Sequence, residues 1–471
     1  MFQILQRVAS SCFRMVLTGT FVALATSEVP AGEPCEIKIV DQSNGWPVPL
    51  VQLKTTNEIL WVSDNDGVVA IDDPDLMNVP TWFTVQGHGY SVPKDGFGMQ
   101  GVRLTPTPGG KLKIQVQREL PAKRLGRLTG SGLFAESQKL GQHQDWKESG
   151  RWGCDTVQTA VHNGKLYWGW GDTTLPGYPL GLFQMTGATT DLKPIQNWQP
   201  PLKLSFDLFR DQRDQPRNVA KIPGPGPSWL GGYVSLKDRS GKSHLVATYS
   251  KIEPPLETYE AGLCEWDEQQ ELFLPSKVLW SQENDGGKPP AAPNGHVVRW
   301  TDSEGKKWLL VGDPFPEWKI PDSYESWMDP ASWTELEPQR EVATLDGESI
   351  RTHRGSIAFL PYRQRWGCVF CQYFGKSSAL GELWYCEADS PFGPWEGAQH
   401  IVTHQQYTFY NPHLHPEMVP DGSPILLFEA TYTKTFSKTV SGTPRYEYNQ
   451  VLYRLDLDEL KGPGVAETQE R

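Results

Sequence analysis

The sequence predicts an all-β protein in which an N-terminal β unit precedes a five-bladed β-propeller. The 471 residues include 19 tryptophans, 45 glycines and 39 prolines. With few long helical patterns, this composition is typical of a chain built from strands and turns. A hairpin pattern also recurs five times in residues 125–461. The length exceeds what one small core needs, which agrees with two or three folded units.

Each of the five hairpins is recognised by a polar cluster at the end of its returning strand. The clusters are Gly171–Thr173, Thr248–Ser250, Gly312–Pro314, Gln372–Phe374 and Glu429–Tyr432. Near-regular β units, here roughly 55 to 80 residues apart, predict the blades of a propeller. Residues 448–456 are expected to form the closing strand. A six-bladed ring or two packed sandwiches would also fit this spacing.

The first unit, residues 35–118, alternates short strands with turns. Its signals are the strand Ile37–Asp41, the run Gly45–Val51 and the turn Ser63–Gly67. Together with Gly89-Tyr90, these runs resemble the prealbumin-like β-sandwich found as a regulatory module in carboxypeptidases and in many bacterial surface proteins. The resemblance implies an N-terminal β-sandwich that serves as a spacer or binding module. A basic linker containing Lys123, Arg124 and Arg127 is expected to follow it.

The two ends of the chain are predicted to lie outside the folded units. Arg7 and Arg14 precede a short apolar stretch, Met15–Ala25, so residues 1–31 are predicted to be a secretion signal. The protein is therefore expected to be secreted or periplasmic, with no membrane span after signal cleavage. Residues 462–471 are expected to form a disordered tail. The net charge of −12 argues against a nucleic-acid partner.

The strongest candidate for chemistry is the hairpin of residues 155–172. Asn163-Gly164 between two strands is the strongest short signal for a two-residue turn. Such a turn fixes the register, so Asp155 should lie opposite Asp172 if no bulge intervenes. Two carboxylates placed in this way repel one another, which raises the pKa of one of them. The pair would serve catalysis, a metal or a nearby cation, unless a bulge or the sheet twist separates its members.

Further polar residues begin or end strands at the same predicted mouth of the ring. They are Glu260, Asn294, His296, Asp313, His353, Arg354, Tyr410, Asn411, His413, His415 and Glu429. Arg354 and the histidines could hold sugar hydroxyls, and a metal is the alternative role of the histidines. Trp170, Trp318 or Tyr410 could stack on a sugar ring, because an aromatic face packs against the C–H face of a sugar.

Three short motifs resemble one enzyme group when taken in order. They are the Gly171-Asp-Thr hairpin end, the turn Ala388–Trp395 with the sequence Ala-Asp-Ser-Pro-Phe-Gly-Pro-Trp, and the Tyr410-Asn-Pro segment. They resemble the secreted bacterial five-bladed β-propeller glycoside hydrolases, which include arabinanases, β-xylosidases and fructan hydrolases. The resemblance implies hydrolysis of a polysaccharide or oligosaccharide by two carboxyl groups.

The same resemblance implies roles for individual residues. Asp155 takes the position of the base or nucleophile. The acid is expected to come from another blade, with Glu260 as the first candidate and Asp313 and Glu429 after it. The chain departs from the better-known members in lacking a clear acid motif at their usual spacing. Asp172 remains a further catalytic candidate through its predicted pairing with Asp155.

Other functions fit the sequence as well. A propeller of this kind could bind carbohydrate without cleaving it, or act as a polysaccharide lyase with a Tyr or His base and Ca²⁺. The expected partner is a carbohydrate in each case. No cofactor is predicted, apart from a structural Ca²⁺ that Asp64, Asp66 and Asp72-Asp73 could hold, although a solvated Asp-Gly turn explains these residues more simply.

Overall fold

The computed structural model describes residues 32–177, 185–376, 378–437 and 441–460, and nearly all regular structure in them is β-strand. The helices of these residues are short: α1 (Ala135–Lys139), α2 (Tyr324–Met328) and the 3-10 turns Pro74–Leu76, Pro330–Ser332, Pro416–Met418 and Leu457–Glu459. Within these ranges no helix has the length and apolar character needed to cross a membrane. The predicted secretion signal and tail, residues 1–31 and 462–471, lie outside the described residues.

The first eight strands form two four-stranded sheets that share one hydrophobic core. The strands are β1 (Cys35–Asp41), β2 (Gln52–Thr55), β3 (Leu60–Val62), β4 (Val68–Ile71), β5 (Thr81–Gln86), β6 (Tyr90–Ser91), β7 (Gly101–Leu104) and β8 (Lys111–Arg118). One sheet has the order β4-β1-β8-β6 and the other β3-β2-β5-β7. Ile39 and Val69 of one sheet and Leu53 and Phe83 of the other are all buried in this core.

Five further sheets follow one another along the chain. The strands are β9 (Lys123–Arg127), β10 (Gly153–Cys154), β11 (Val157–His162), β12 (Lys165–Thr174), β13 (Met185–Asp191), β14 (Asp207–Leu208), β15 (Ser228–Lys237), β16 (Ser243–Glu253), β17 (Glu257–Asp267), β18 (Leu272–Ser281), β19 (His296–Thr301), β20 (Lys307–Gly312), β21 (Pro316–Pro321), β22 (Thr334–Glu335), β23 (Glu341–Thr344), β24 (Ser349–Leu360), β25 (Arg365–Gln372), β26 (Leu383–Ala388), β27 (Glu396–Val402), β28 (Thr408–Leu414), β29 (Ile425–Thr433) and β30 (Asn449–Asp456). We number the sheets in chain order: β10–β14, β15–β18, β19–β22, β23–β27 and β28–β30 with β9.

The five sheets are connected through one strand of each. These strands are β11, β15, β19, β24 and β28, and each contacts the next in this order. β28 in turn contacts β11, so the contacts close a ring. We call these five strands the ring strands. Four of the five polar clusters predicted from the sequence lie at or near the ends of β12, β20, β25 and β29, and the fifth, Thr248–Ser250, lies in the middle of β16. These are the strands that pair directly with the ring strands.

The fifth sheet is completed by a strand from the other end of the ring segment. β9 precedes the first sheet in sequence, yet it pairs antiparallel with β30, with Val451 opposite Arg127. The sequence predicted a basic linker here, and this prediction was wrong. The cationic residues are buried because each finds acceptors: Lys123, for example, forms ion pairs with Asp456 and Glu459.

Arg124 ties β9 to the N-terminal sheets. Its guanidinium donates to the carbonyl oxygens of Pro49 at 3.0 Å, Gly87 at 3.1 Å and His88 at 2.6 Å. Its Nε donates to the hydroxyl of Tyr453 at 3.3 Å on β30. With a side chain only 2% exposed, Arg124 satisfies carbonyl groups that water does not reach. The residue therefore fastens β9 on both sides.

Replacing Arg124 with Ala should destabilise the protein by about 3 kcal/mol, because several buried carbonyl groups lose their donor. Urea unfolding followed by tryptophan fluorescence measures this loss. The exposed β7 residue Arg103 is the matched control, and Arg103→Ala should change the free energy of unfolding by less than about 0.5 kcal/mol. Equal, small effects of the two substitutions would show that Arg124 does not fasten the sheets.

Candidate functional site

A cavity of about 1270 Å³ lies at one end of the ring strands, and every ring strand or the residue just before it contributes to the wall. The contributions are Asp155 before β11, Gly231 of β15, Asn294 before β19, Arg354 of β24 and Asn411 of β28. We call this the main cavity. Because its wall draws on all five sheets, its chemistry depends on the ring as a whole.

The ring strands are irregular where they meet the main cavity. Asp155 and Thr156 leave the ladder between β10 and β11. The pairing register shifts between Gly231 and Val234 in β15, between Thr352 and Gly355 in β24, and between Tyr410 and His413 in β28. Bulges of this kind change the direction in which a side chain points and occur often beside binding sites. They bring Arg354 and Asn411 to the cavity wall.

Asp155 and Asp172 lie in a gap of the ladder, and the pairs on both sides of this gap keep the register that the sequence predicted. The Asn163-Gly164 turn has positive φ at both residues, 48° and 80°, as a type I′ hairpin requires. The ladder keeps one register on both sides of the two aspartates: Val157 pairs with Trp170, and Cys154 pairs with Thr173. Both aspartates line the main cavity. The ladder itself is interrupted between these two pairs.

Gly171 of β12 lies where the ladder is interrupted. Its N–H donates to the carbonyl oxygens of Asp155 at 2.8 Å and Thr156 at 3.1 Å. A Cβ at position 171 would lie 2.2 Å from Oδ1 of Asp155, so a side chain there would displace this carboxylate. Glycine at this position lets the Asp155 side chain fold back against its partner strand.

Burial raises the pKa of both carboxyl groups, but their surroundings differ. The pKa of Asp172 is raised to about 6, by burial and by the negative charge of Asp155. The indole N–H of Trp229 donates to Oδ1 of Asp172 at 3.1 Å. Burial also raises the pKa of Asp155, whereas hydrogen bonds from the hydroxyls of Tyr410 and Tyr448 lower it. Asp155 is thus better equipped to hold a negative charge, and Asp172 to hold a proton.

A second cavity of about 580 Å³ adjoins the main cavity, and we call it the side cavity. Asn294, His353, Arg354 and Tyr373 line both. Asp313 lines the side cavity, where Nη1 of Arg354 lies 3.5 Å from its Oδ2 and the Gly355 N–H donates to its Oδ1 at 2.7 Å. Burial raises the pKa of Asp313 to about 6 despite the charge of Arg354, while burial and Arg354 lower the pKa of His353 to about 4.

Two predicted acids do not line either cavity. Glu260 lies on β17, where it faces Lys251 of β16 and accepts a hydrogen bond from the Tyr249 hydroxyl at 2.8 Å. Glu429 on β29 is 0% exposed and is hydrogen-bonded to Nε2 of His415 at 2.8 Å. A substrate in the main cavity would meet neither carboxyl group, so among the acids predicted from the sequence Asp172 and Asp313 are the ones that line a cavity.

Three predicted histidines also lie away from the cavity surface. The ring centroids of His296 and His413 are 4.2 Å apart, and those of His413 and His415 are 4.7 Å apart. Burial lowers the pKa of His296 to about 3 and that of His413 well below its usual value. Burial also disfavours charge on His415, but the hydrogen bonds that its ring donates to Glu417 and Glu429 raise its pKa to about 9. The packed imidazoles of His296 on β19 and His413 on β28 thus bring two ring strands into contact.

The predicted stacking residue Trp170 belongs to the core. Its side chain is 0% exposed, and the guanidinium of Arg151 lies 3.8 Å from the centroid of its ring. No face of this indole is open to a sugar. Tyr410, the other stacking candidate, does line the main cavity, and its hydroxyl is engaged by Asp155.

Sequence reasoning missed several residues of the main cavity. Tyr448, assigned to a closing strand, precedes β30 and hydrogen-bonds to Asp155. Phe374 and Phe436 also line the cavity and are 70% and 62% exposed, with positive φ of 59° and 62°. A large side chain with positive φ is strained, and such strain collects at functional sites. No local sequence pattern signals it.

Carboxylates predicted as Ca²⁺ ligands have other partners. Asp64 accepts from the backbone N–H of Asp66 at 3.0 Å and of Ser137 at 2.7 Å. Asp66 forms an ion pair with Lys38 at 2.7 Å and a hydrogen bond with Nε2 of His143 at 3.1 Å. Throughout the described part of the chain, no three His, Cys, Asp or Glu residues are grouped so that they could hold a metal ion.

Comparisons with known proteins complete this description. No protein-family model matches the chain, and no curated protein matches it either. Similar solved structures include an exo-1,5-α-L-arabinanase from a bovine ruminal metagenomic library, with 12% identity, a TM-score of 0.38, and coverage of 66% of this chain and 95% of that chain. An exo-β-1,3-galactanase from Phanerochaete chrysosporium, solved with β-1,3-galactotriose, has 9% identity, a TM-score of 0.38 and coverage of 64% and 60%.

A third similar structure, the RS223 β-xylosidase, has 10% identity, a TM-score of 0.36 and coverage of 64% of this chain and 92% of that chain. All three of these proteins are glycosidases by name. At such low identities and TM-scores, the likeness assigns neither a substrate nor a mechanism to this chain. The function has to be argued from the cavity itself.

The pKa of Asp172 should fall when Asp155 is replaced by Asn, because the repulsion from the Asp155 carboxylate is removed. Carboxyl ¹³C chemical shifts recorded across a pH series measure this pKa. Asp313→Asn is the control, since it removes a carboxyl group from the neighbouring cavity and should leave the titration of Asp172 nearly unchanged. An Asp172 titration that is identical in wild type and Asp155→Asn would contradict the coupling of the two aspartates.

Asp172 should also make the stability of the protein depend on pH. A carboxyl group with a raised folded-state pKa stabilises the fold at low pH, and this contribution is lost as the pH rises through about 6. Asp172→Asn should therefore gain stability relative to wild type between pH 4 and pH 7. Urea unfolding at both pH values provides the test, and a difference that stays constant across this range would contradict it.

Proposed function

We propose that this protein is a secreted glycoside hydrolase that cleaves a glycosidic bond in the main cavity. Its architecture would be a five-bladed β-propeller preceded by an N-terminal β-sandwich. Five successive sheets, the ring of contacts between their ring strands, and the pairing of β9 with β30 support the propeller. The common core of the two N-terminal sheets supports the sandwich. Secretion rests on the pattern of residues 1–31.

The observation that carries the proposal is the pair of carboxyl groups on one cavity wall. Glycoside hydrolysis needs one carboxylate that attacks or activates water and one carboxylic acid that protonates the leaving oxygen. Asp155, which accepts hydrogen bonds from the Tyr410 and Tyr448 hydroxyls, is the base or nucleophile. Asp172, with a pKa of about 6, is the acid. Asp313, with a pKa also of about 6, is the second candidate for the acid.

Other residues of the main cavity suit a sugar. His353 and Asn411 offer polar groups to ring hydroxyls, and the exposed rings of Phe374 and Phe436 offer apolar faces to the C–H groups. A pocket with mostly apolar walls and a few convergent polar groups is typical of small-molecule sites. Its volume of about 1270 Å³ has room for more than one sugar unit.

Asp155→Asn and Asp172→Asn should each lower the rate of reducing-sugar release by about 100-fold or more, because each removes a proton-transfer or nucleophilic group. A panel of arabinan, xylan, galactan, fructan and uronic-acid polysaccharides, read by product chromatography, first identifies the substrate. Asp313→Asn is the matched control if Asp172 is the acid. A rate loss in Asp313→Asn that equals the loss in Asp155→Asn, with Asp172→Asn near wild type, would move the acid to Asp313.

A protein that binds carbohydrate without cleaving it is the second candidate, and one observation favours it. Among the described residues of the main cavity that lie on a ring strand or just before one, Asp155 alone carries a carboxyl group. Position 231 has no room for one, since a Cβ there would lie 2.0 Å from Oδ1 of Asn294. Binding of a glycan by wild type, with no product from any member of the panel, would establish this alternative. Product with an unsaturated sugar would instead indicate a lyase.

A further inference from the structure

The side cavity has an unusual concentration of positive charge for an acidic protein. Three guanidinium groups line it, those of Arg340, Arg351 and Arg354. Two carboxyl groups, those of Asp313 and Glu317, line it as well. The whole chain carries a net charge of −12, so a cavity with more cations than anions differs from the rest of the protein. A local excess of one sign concentrates ligands of the opposite sign.

The two carboxyl groups neutralise only two of the three arginines. Arg340 lies 3.1 Å from Glu317, and Arg354 lies 3.5 Å from Asp313. Arg351 has no carboxylate within 4.0 Å among the described residues; instead its guanidinium lies 5.0 Å from the ring centroid of Tyr373. One guanidinium in the side cavity is therefore available to a ligand.

The backbone holds the three arginines together. Arg351 lies just before the register shift in β24 and Arg354 lies within it, so the bulge affects the direction of both side chains. Thr352 donates from its N–H at 3.0 Å and its Oγ1 at 3.1 Å to the carbonyl oxygen of Arg340. This ties the segment before β23 to β24. The cluster is thus built on paired strands rather than on a free loop, as a preorganised site requires.

We propose that the side cavity binds an anionic substituent of the glycan, a sulfate ester or a uronate carboxylate, while a neighbouring sugar unit occupies the main cavity. Arg351 is the principal contact, because the planar guanidinium donates two parallel hydrogen bonds to an oxyanion. Arg354 and His353 line both cavities and join the two subsites. This inference rests on the proposed function of the main cavity as a glycan site.

The geometry also assigns a part to Asp313. Its carboxyl group faces the same space as Arg351 and has a raised pKa of about 6. An anion bound beside it would raise that pKa further, since two negative charges repel. Protonated Asp313 could then donate a hydrogen bond to the bound oxyanion. Arg354 would be released from Asp313 and would contact the same group.

Two matched pairs of probes separate the effect of the negative charge on binding from the effect of the sugar backbone. They also distinguish a sulfate ester from a uronate carboxylate as the source of the charge. Dextran and dextran sulfate of equal length differ only in sulfate, and an oligogalacturonide and its methyl ester differ only in the carboxylate. Isothermal titration at low ionic strength measures the affinity of wild-type protein for each. We expect the anionic member of at least one pair to bind about tenfold or more tightly than its neutral partner. Equal affinities within both pairs would overturn the proposal.

Variants of Arg351 assign the preference to the side cavity. Arg351→Gln should reduce the ratio of the affinities for the anionic and neutral probes to about threefold or less. Arg351→Lys should retain an intermediate ratio, because lysine keeps the positive charge but lacks the planar guanidinium that donates two parallel hydrogen bonds. Arg213→Gln removes an exposed arginine from the turn that follows β14 and should leave the ratio unchanged. Circular dichroism confirms that each variant is folded. An unchanged ratio in Arg351→Gln would contradict the proposed site.

The outcomes for this inference and for the proposed function are separable. Selective binding of the anionic probe without any cleavage would leave the side-cavity site standing and remove the hydrolase. Cleavage of neutral glycans with no charge preference would leave the hydrolase standing and remove the side-cavity site. Binding of the probes to the side cavity therefore tests the substrate class without requiring the protein to cleave them.

Discussion

The pairing of β9 with β30 is the constraint on which the rest of the structure depends. It joins the strand that precedes the first sheet to the last strand of the fifth sheet, and so brings two ends of a long segment together. Closing a loop of this length costs conformational entropy, which the buried contacts of Arg124 and Asn65 offset. Asn65 accepts from the Arg127 N–H at 2.9 Å and donates to the Arg127 carbonyl at 3.0 Å. Without this closure the first and fifth sheets would not be neighbours.

The chemistry of the main cavity follows from that closure. Asp155 lies between β10 and β11 of the first sheet, and it accepts hydrogen bonds from the hydroxyls of Tyr410 on β28 and Tyr448 just before β30, both strands of the fifth sheet. The cavity therefore places Asp155, which accepts from two tyrosine hydroxyls and from the backbone N–H of Asp172, beside Asp172, which accepts from the indole N–H of Trp229. Burial favours protonation of both, and the difference in donors separates their behaviour. A fold that closes differently would leave Asp155 without its stabilising hydroxyls.

Local sequence patterns predicted the features that neighbouring residues determine, such as a turn and the register of its two strands. The Asn163-Gly164 turn fixed the register that places Asp155 opposite Asp172, and the recurring polar clusters marked the strands that pair with the ring strands. The same reasoning selected Arg354 and Asn411, which do line the main cavity. It could not select Tyr448 or Phe436, since their place at the cavity depends on positive φ and on long-range packing. The alternation of side chains along a strand indicates neither a positive φ nor a long-range contact.

Some predicted residues lie elsewhere because strand position alone does not decide which way a side chain points. Glu429 ends a hairpin as expected, but its strand is buried throughout, and the carboxyl group meets His415 in the core. Trp170 precedes the cavity residue Gly171 and points to the opposite face of the sheet, where Arg151 covers it. Bulges in β15, β24 and β28 alter this alternation at the cavity, and no sequence signal located them.

The proposed function assigns the role of nucleophile or base to Asp155 and the role of acid to Asp172. The hydrolysis of a 2,4-dinitrophenyl glycoside of the preferred sugar tests it most directly, because this leaving group departs without protonation and needs only the nucleophile or base. The account predicts that Asp172→Asn hydrolyses this substrate at a rate close to wild type, while Asp155→Asn is inactive. Activity in Asp155→Asn equal to that of Asp172→Asn, or wild-type activity in both, would contradict it.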